Sequence, residues 1–309
     1  MKKFFIRSIV FILCLINYFL FTKNAFAQKT DSNIYSIGIT PSLINVDISQ
    51  KEEQKTIDLV LINYAGYSQE IKISVMDFKQ KDANGGLAFL NDSQGSYSYS
   101  LASFMRPEVD TVILGPLERK TIKVYIFNRP DLSPGGHYAV VTADLVNKLE
   151  NKTRINPVVS SLILLRKFGG EKYNLSLKKV SFPNGFIAFS YPKEISLLFQ
   201  NTGNIHMFPY GRLDIKDIFG RKLYKGIVNP QSSAVFPESI RYIKVDLIKL
   251  SFSLPLSLNL IDFSGSDSLS KSNFVYKNYF IYVNPIFLIV LVISLILLSI
   301  WRLKKSSRK

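Results

Sequence analysis

From Ile286 to Ile300, thirteen of fifteen residues are Leu, Ile, Val or Phe, interrupted only by Ser294 and Ser299. Such a run gains roughly 4–7 kcal/mol on entering hydrocarbon, before Asn284 and Pro285 are charged against it. With Phe280–Val283 added, the window from Tyr279 to Trp301 is 23 residues. At about 1.5 Å per residue it reaches across a hydrocarbon layer of roughly 30 Å. Tyr279, Tyr282 and Trp301 stand where interfacial aromatics are expected, and the tail 302–309 carries Arg302, Lys304, Lys305, Arg308 and Lys309 without an acid. Residues 284–301 therefore read as a transmembrane helix with a cytoplasmic basic tail, placing everything before it outside the membrane. A buried core helix is the competing reading, but soluble domains seldom end in an apolar run followed by a basic stub.

The other end agrees. Lys2, Lys3 and Arg7 precede an apolar stretch from Ser8 to Phe21, and Ala25-Phe26-Ala27 offers a cleavage site, so 1–27 reads as a signal peptide. An uncleaved N-terminal anchor would leave the following residues on the same outer side. Cys14 is the single cysteine, so once the signal is removed the exported part folds without disulfides. The net charge of +16 is concentrated at the ends: residues 1–27 hold four basic groups and the tail five, leaving 30 basic against 23 acidic residues between them. That modest excess, with no Lys/Arg cluster interleaved with aromatics, gives no ground for nucleic-acid binding.

Between the two apolar ends the chain alternates with period two. Ile57-Asp58-Leu59, Ile71-Lys72-Ile73-Ser74-Val75, Ile122-Lys123-Val124-Tyr125-Ile126 and Ile195-Ser196-Leu197 put apolar side chains on one face of a strand. Asn63-Tyr64-Ala65-Gly66, Asn84-Gly85-Gly86, Pro134-Gly135-Gly136 and Asn201-Thr202-Gly203 supply turns at short intervals. The fold class is all-β: two tandem β-sandwich domains, 34–168 and 171–283, joined near Phe168-Gly169-Gly170. Lys79–Ser100 lacks a clear period and is expected to be a surface loop available for a partner. Leu61–Gly66 and Leu198–Gly203 echo each other faintly, too briefly to establish a repeat.

The turn motifs also carry a resemblance. The order Ile39-Thr40-Pro41, Asn63-Tyr64-Ala65-Gly66, Asn84-Gly85-Gly86, Leu114-Gly115-Pro116-Leu117-Glu118 and Pro134-Gly135-Gly136-His137-Tyr138 resembles the peptidoglycan-binding domain of the WxL-interacting-protein family. Phe199 to His206, with Pro209-Tyr210-Gly211, is similar to its companion domain. The resemblance implies immunoglobulin-like domains on a bacterial cell surface, tethered to the cell membrane and contacting cell-wall polymer (peptidoglycan) or a surface protein. No binding residue transfers with it.

Chemistry finds little footing. His137 and His206, some seventy residues apart, lack the partners that a triad or zinc site needs. Asp82 to Gly86 with Asn91-Asp92 falls short of a calcium loop, because the twelfth position from Asp82 is Ser93 rather than Glu. Pro134-Gly135-Gly136 and Asn201-Thr202-Gly203-Asn204 read as architecture. The expectation is a non-catalytic surface protein with no catalytic, cofactor or metal site, binding wall glycan or a surface protein. The alternative is a chaperone-like assembly factor that adds a β-strand to its client.

Overall fold

A computed structural model describes residues 36–90, 97–146, 158–182 and 186–306; the expected signal peptide 1–27 and Asn91-Asp92 lie outside them. The first sandwich is built from β1 (Ile37–Thr40), β2 (Leu43–Ile48), β3 (Gln54–Asn63), β4 (Gln69–Gln80), β5 (Leu87–Leu90), β6 (Met105–Pro107), β7 (Thr111–Leu114), β8 (Arg119–Phe127), β9 (Gly135–Leu145) and β10 (Val158–Lys167). One sheet runs β1-β3-β8-β6; the other runs β2-β10-β9-β4-β5, with β7 also on β4. The chain changes sheets at Pro41, after antiparallel pairing of β1 with β3 and before parallel pairing of β2 with β10. Alternating Ile57, Leu59 and Leu61 of β3 and Ile122, Val124 and Ile126 of β8 meet Val46, Ile48, Ala139, Val141, Ile163 and Leu165 from the facing sheet.

The second sandwich consists of β11 (Leu175–Ser181), β12 (Ile187–Ala188), β13 (Glu194–Asn201), β14 (Pro209–Asp217), β15 (Lys222–Val228), β16 (Ser239–Asp246), β17 (Ile248–Lys249), β18 (Leu256–Asp267) and β19 (Asn273–Val283). Its sheets are β11-β13-β16 and β12-β19-β18-β14-β15-β17. The same sheet switch recurs: β11 pairs antiparallel with β13, then β12 pairs parallel with β19. The chain is thus two tandem immunoglobulin-like β-sandwiches.

The faint echo in the sequence marks equivalent corners. At the end of β3 the buried Asn63 donates from Nδ2 to the carbonyls of Tyr67 (2.8 Å) and Gly115 (2.7 Å), and its Oδ1 accepts the N–H of Ala65. At the end of β13 the fully buried Asn201 donates to Ile205 (2.7 Å) and Val235 (2.8 Å), and its Oδ1 accepts from Gly203. In both, one amide closes its own turn and ties it to a neighbouring loop, satisfying groups that burial would otherwise leave unpaired.

The last strand ends at Val283 and the helix α1 (Pro285–Ser306) follows after one residue. The helix begins at the expected boundary near residue 284, and the residues that could have extended its window stay in the sheet. Tyr279 to Val283 is strand, paired with Leu256 to Leu260, and Tyr282 points into the sandwich core with its ring 4.4 Å from that of Tyr191. Asn284 and Pro285 are assets to the helix rather than obstacles. The Asn284 side chain accepts from the N–H groups of Ile286 and Phe287, while proline at the first helical position lacks an N–H that would go unpaired. The 22 residues of α1 extend about 33 Å, and the apolar window Pro285–Arg302 has mean hydropathy 2.5 with none of it buried against the rest of the protein.

Candidate functional site

Strand β9 does not alternate: nine consecutive residues, Gly135 to Ala143, are buried. A strand buried on both faces needs a cover on each. His137, Ala139 and Val141 face the interior of the first sandwich, whereas Tyr138 and Val140 join Phe78 and Leu164 against Ala234 and Phe236 of the second. Tyr138 and Phe236 meet edge to face at 4.8 Å, and Phe78 and Phe236 at 5.6 Å. The sandwiches therefore share an aromatic interface.

Two turn motifs from the sequence meet at its rim. Gly136 donates its N–H to the carbonyl of Asn204 at 2.8 Å, and Gly135, at φ +123°, leaves no room for a side chain: a Cβ there would lie 2.8 Å from the same carbonyl. The segment expected to be a free loop is also absorbed. Residues to Gln80 extend β4 and Leu87–Leu90 form β5, while Gln80 Nε2 donates to the carbonyl of Ile240, Tyr242 donates its N–H to Ala83, and Tyr99 donates to Glu238. Burial, then the bond to Glu238, pushes the Tyr99 hydroxyl up to about 12. Lys79–Ser100 thus contributes to the contact between domains.

The two histidines lie on opposite faces of β9 and do not form a catalytic pair. His137 places Nδ1 2.9 Å from the carbonyl of Ser100 and Nε2 2.8 Å from that of Ser133. Burial holds its pKa below the ordinary value, against the opposing pull of those carbonyls. His206 sits in the domain interface with Nδ1 3.3 Å from the Tyr138 hydroxyl; burial, helped by the charge of Arg166, lowers its pKa to about 4. Asp82 closes a polar turn by accepting the N–H groups of Asn84 and Gly86. Among the described residues no cluster of His, Cys, Asp and Glu has metal-binding geometry.

What remains available is strand edge. In both sandwiches the final strand is paired along one side but only at its C-terminal part on the other. β10 runs beside β9 from Val158 to Lys167, yet β2 covers only Leu162 to Lys167. β19 runs beside β18 throughout, yet β12 covers only Ile281 and Tyr282. From Asn273 to Phe280, β19 therefore has no strand on its second side among the described residues. Every other N–H and C=O along that stretch points away from β18; the Tyr279 N–H among them is taken by the Asn278 side chain at 3.0 Å, and the rest of the row is available to a new ladder among the described residues.

The free edge of β19 borders a groove. About 400 Å³ of space lies between β19 and the edge strand β11 of the opposite sheet, lined by Leu175, Leu177, Val180, Phe274 and Tyr276 with Lys178 and Lys179 at the rim. Asn278, on the inward side of the pleat with Phe274, Tyr276 and Phe280, is exposed there. Val275, on the outward side, is 68% exposed. An added strand would gain main-chain hydrogen bonds from β19 and place alternate side chains in the groove. No single run of residues announced this site. Among the described residues the edge is left because β12 covers only Ile281 and Tyr282 of β19, and the groove lies between β19 and β11 of the opposite sheet.

No family model matches the chain, and no curated protein matches its sequence. Solved structures similar to it include one from a chaperone–tip adhesin complex of CFA/I fimbriae biogenesis, 13% identical over 79% of this chain and 99% of that one, with a TM-score of 0.44. The class 5 fimbriae chaperone CfaA is 16% identical, covering 78% and 98%, with a TM-score of 0.41. A structure of the Salmonella enterica SafA pilin with the SafB chaperone is 10% identical, covering 82% and 98%, with a TM-score of 0.40. These are fimbrial chaperone systems of two sandwiches, none a WxL-interacting protein; the expected membership of that family, with its peptidoglycan-binding role, is corrected accordingly. The short turns that carried the resemblance serve corners and domain contacts common to β-sandwiches.

Proposed function

We propose that this protein is a non-catalytic assembly factor for surface proteins, tethered by α1 as a single membrane span, with both sandwiches outside the cell membrane and the C-terminus in the cytoplasm. It holds an extended segment of its client by β-strand addition. What carries the proposal is the edge of β19 from Asn273 to Phe280, which has no strand beside it among the described residues, next to an apolar groove. Lys178 and Lys179 at the rim favour a client segment with acidic residues flanking its apolar positions. The SafA pilin and the tip adhesin of CFA/I fimbriae, present in the solved chaperone complexes reported above, are surface proteins of the class envisaged.

Amide hydrogen exchange tests it. The full-length chain in nanodiscs is mixed with peptides spanning the terminal segments of surface proteins encoded with it. Binding is expected to slow exchange from Asn273 to Phe280, and Lys178→Glu with Lys179→Glu to weaken it several-fold. Peptides that bind without protecting this edge, or a panel in which none binds, would refute the assignment.

A further inference from the structure

The two ends of the second sandwich differ in character. One end packs on the first sandwich through His206, Phe208 and Phe236, and its nearby hairpin, between β18 and β19, carries Ser268, Ser270, Lys271 and Ser272. The other end, where the chain enters α1, turns apolar side chains outward. Its hairpin between β14 and β15 exposes Ile218 by 61% and Phe219 by 79%, where a water-facing turn ordinarily carries polar residues. Phe252, 66% exposed, lies beside that hairpin under the guanidinium of Arg221 at 4.4 Å.

Register extends this patch along the sheet. Leu256 is paired with Val283, and both Leu258 and Ile187 are paired with Ile281; cross-strand partners share a face, so these side chains form one strip on the outer surface. Leu256 and Ile187 are at least half exposed. The strip and the two exposed phenylalanines surround the point where β19 becomes α1. Such a contiguous apolar surface calls for a cover other than water.

We propose that this collar is seated in the headgroup layer of the bilayer, so that the second sandwich stands on the membrane rather than swinging above it. The proposal rests on reading α1 as a membrane span. Given that span, the connection decides the occupant. Only Asn284 separates strand from helix, and its N–H is bonded to the carbonyl of Pro255 at 2.7 Å, which ties the helix root to the segment between Phe252 and Leu256. No linker exists that could lift this end clear of the headgroups. Aromatic rings and Arg221 suit that layer, where an apolar body is buried while a polar tip stays wet. Seated in this way, the collar fixes the height of the β19 groove: Val275 stands about 27 Å along the strand from Val283.

Depth-dependent quenching tests the inference in the full-length chain, with Cys14→Ser making each introduced thiol unique. Single cysteines at Phe219, Leu256, Ile286 and Tyr210 are labelled with an environment-sensitive fluorophore and placed in nanodiscs containing spin-labelled lipid. Phe219, Leu256 and Tyr210 are all substantially exposed, so these changes spare the core. The expected result is blue-shifted, quenched emission at Phe219 and Leu256 approaching that at Ile286, with Tyr210, at the opposite end of β14, unaffected. Quenching at Ile286 alone would overturn the collar while leaving the membrane span intact. Absence of quenching at Ile286 as well would overturn both.

Discussion

Acid should weaken the joint between the sandwiches through His206. Its pKa is about 4 in the folded protein against an ordinary 6.5, because the ring is buried between Tyr138 and Phe208 and lies near the charge of Arg166. Between those two values the unfolded chain holds a proton that the folded chain does not, so unfolding takes up protons and is favoured by acid. The contribution is intact above 6.5 and is lost as pH falls toward 4. By pH 4.5 the linkage amounts to about 2–3 kcal/mol, and a loss of that size lowers Tm by about 5–10 °C in a protein of this length. The assay compares the full-length protein with His206→Gln, which keeps an acceptor near the Tyr138 hydroxyl, by thermal melting in detergent from neutral pH to pH 4.5. His137 shifts in the same direction and is present in both, so it cancels in the comparison. The variant is expected to lose markedly less stability than the parent. Parallel loss in the two proteins would refute the claim that His206 is held neutral by burial.

Three further outcomes follow from the same contacts. Asn201→Leu strands the carbonyl of Ile205 and the N–H of Gly203, leaving the Val235 carbonyl with only the Met207 N–H, and should cost at least about 3 kcal/mol in urea unfolding; a loss below about 1 kcal/mol would mean that water replaces the amide. Phe236→Ala empties the centre of the domain interface at a cost of about 3–5 kcal/mol, accelerating amide exchange around Tyr138, and unchanged exchange there would show that the sandwiches do not depend on this ring. Deleting residues 81–98 removes the Ala83 contact with Tyr242 and the approach of Tyr99 to its interface position, so it should lower Tm by several degrees; a neutral effect would return this segment to the status of an independent loop.

Legibility followed the range of the interactions. The alternation of β3, β8 and β13 was visible because a half-buried strand writes its burial into successive residues. The Asn63 and Asn201 corners were visible as turns because each amide bonds to a main-chain group two to four residues away. Their bonds to Gly115 and Val235, 52 and 34 residues distant, left no local trace. The apolar terminal run was plain, and although Tyr279–Val283 is apolar enough to extend it, the domain boundary at 283 left these residues to the strand. Pairing with β18 holds them there. Lys79–Ser100 looked unattached because its partners, Ile240, Tyr242 and Glu238, lie about 140 to 160 residues away.

By itself the sequence determined that strands must be sandwiched in two modules and that residues 286–300 form a continuous apolar run, because pattern and hydropathy act residue by residue. Tertiary structure alone decided which strands find neighbours. Among the described residues it left β19 without a second neighbour from Asn273 to Phe280, because β12 pairs over only two residues, and it gathered Ile187, Phe219, Phe252 and Leu256 around the helix root through contacts between segments far apart in the chain. An open edge is a property of what lies beside a strand, so no reading of the strand's own residues can supply it.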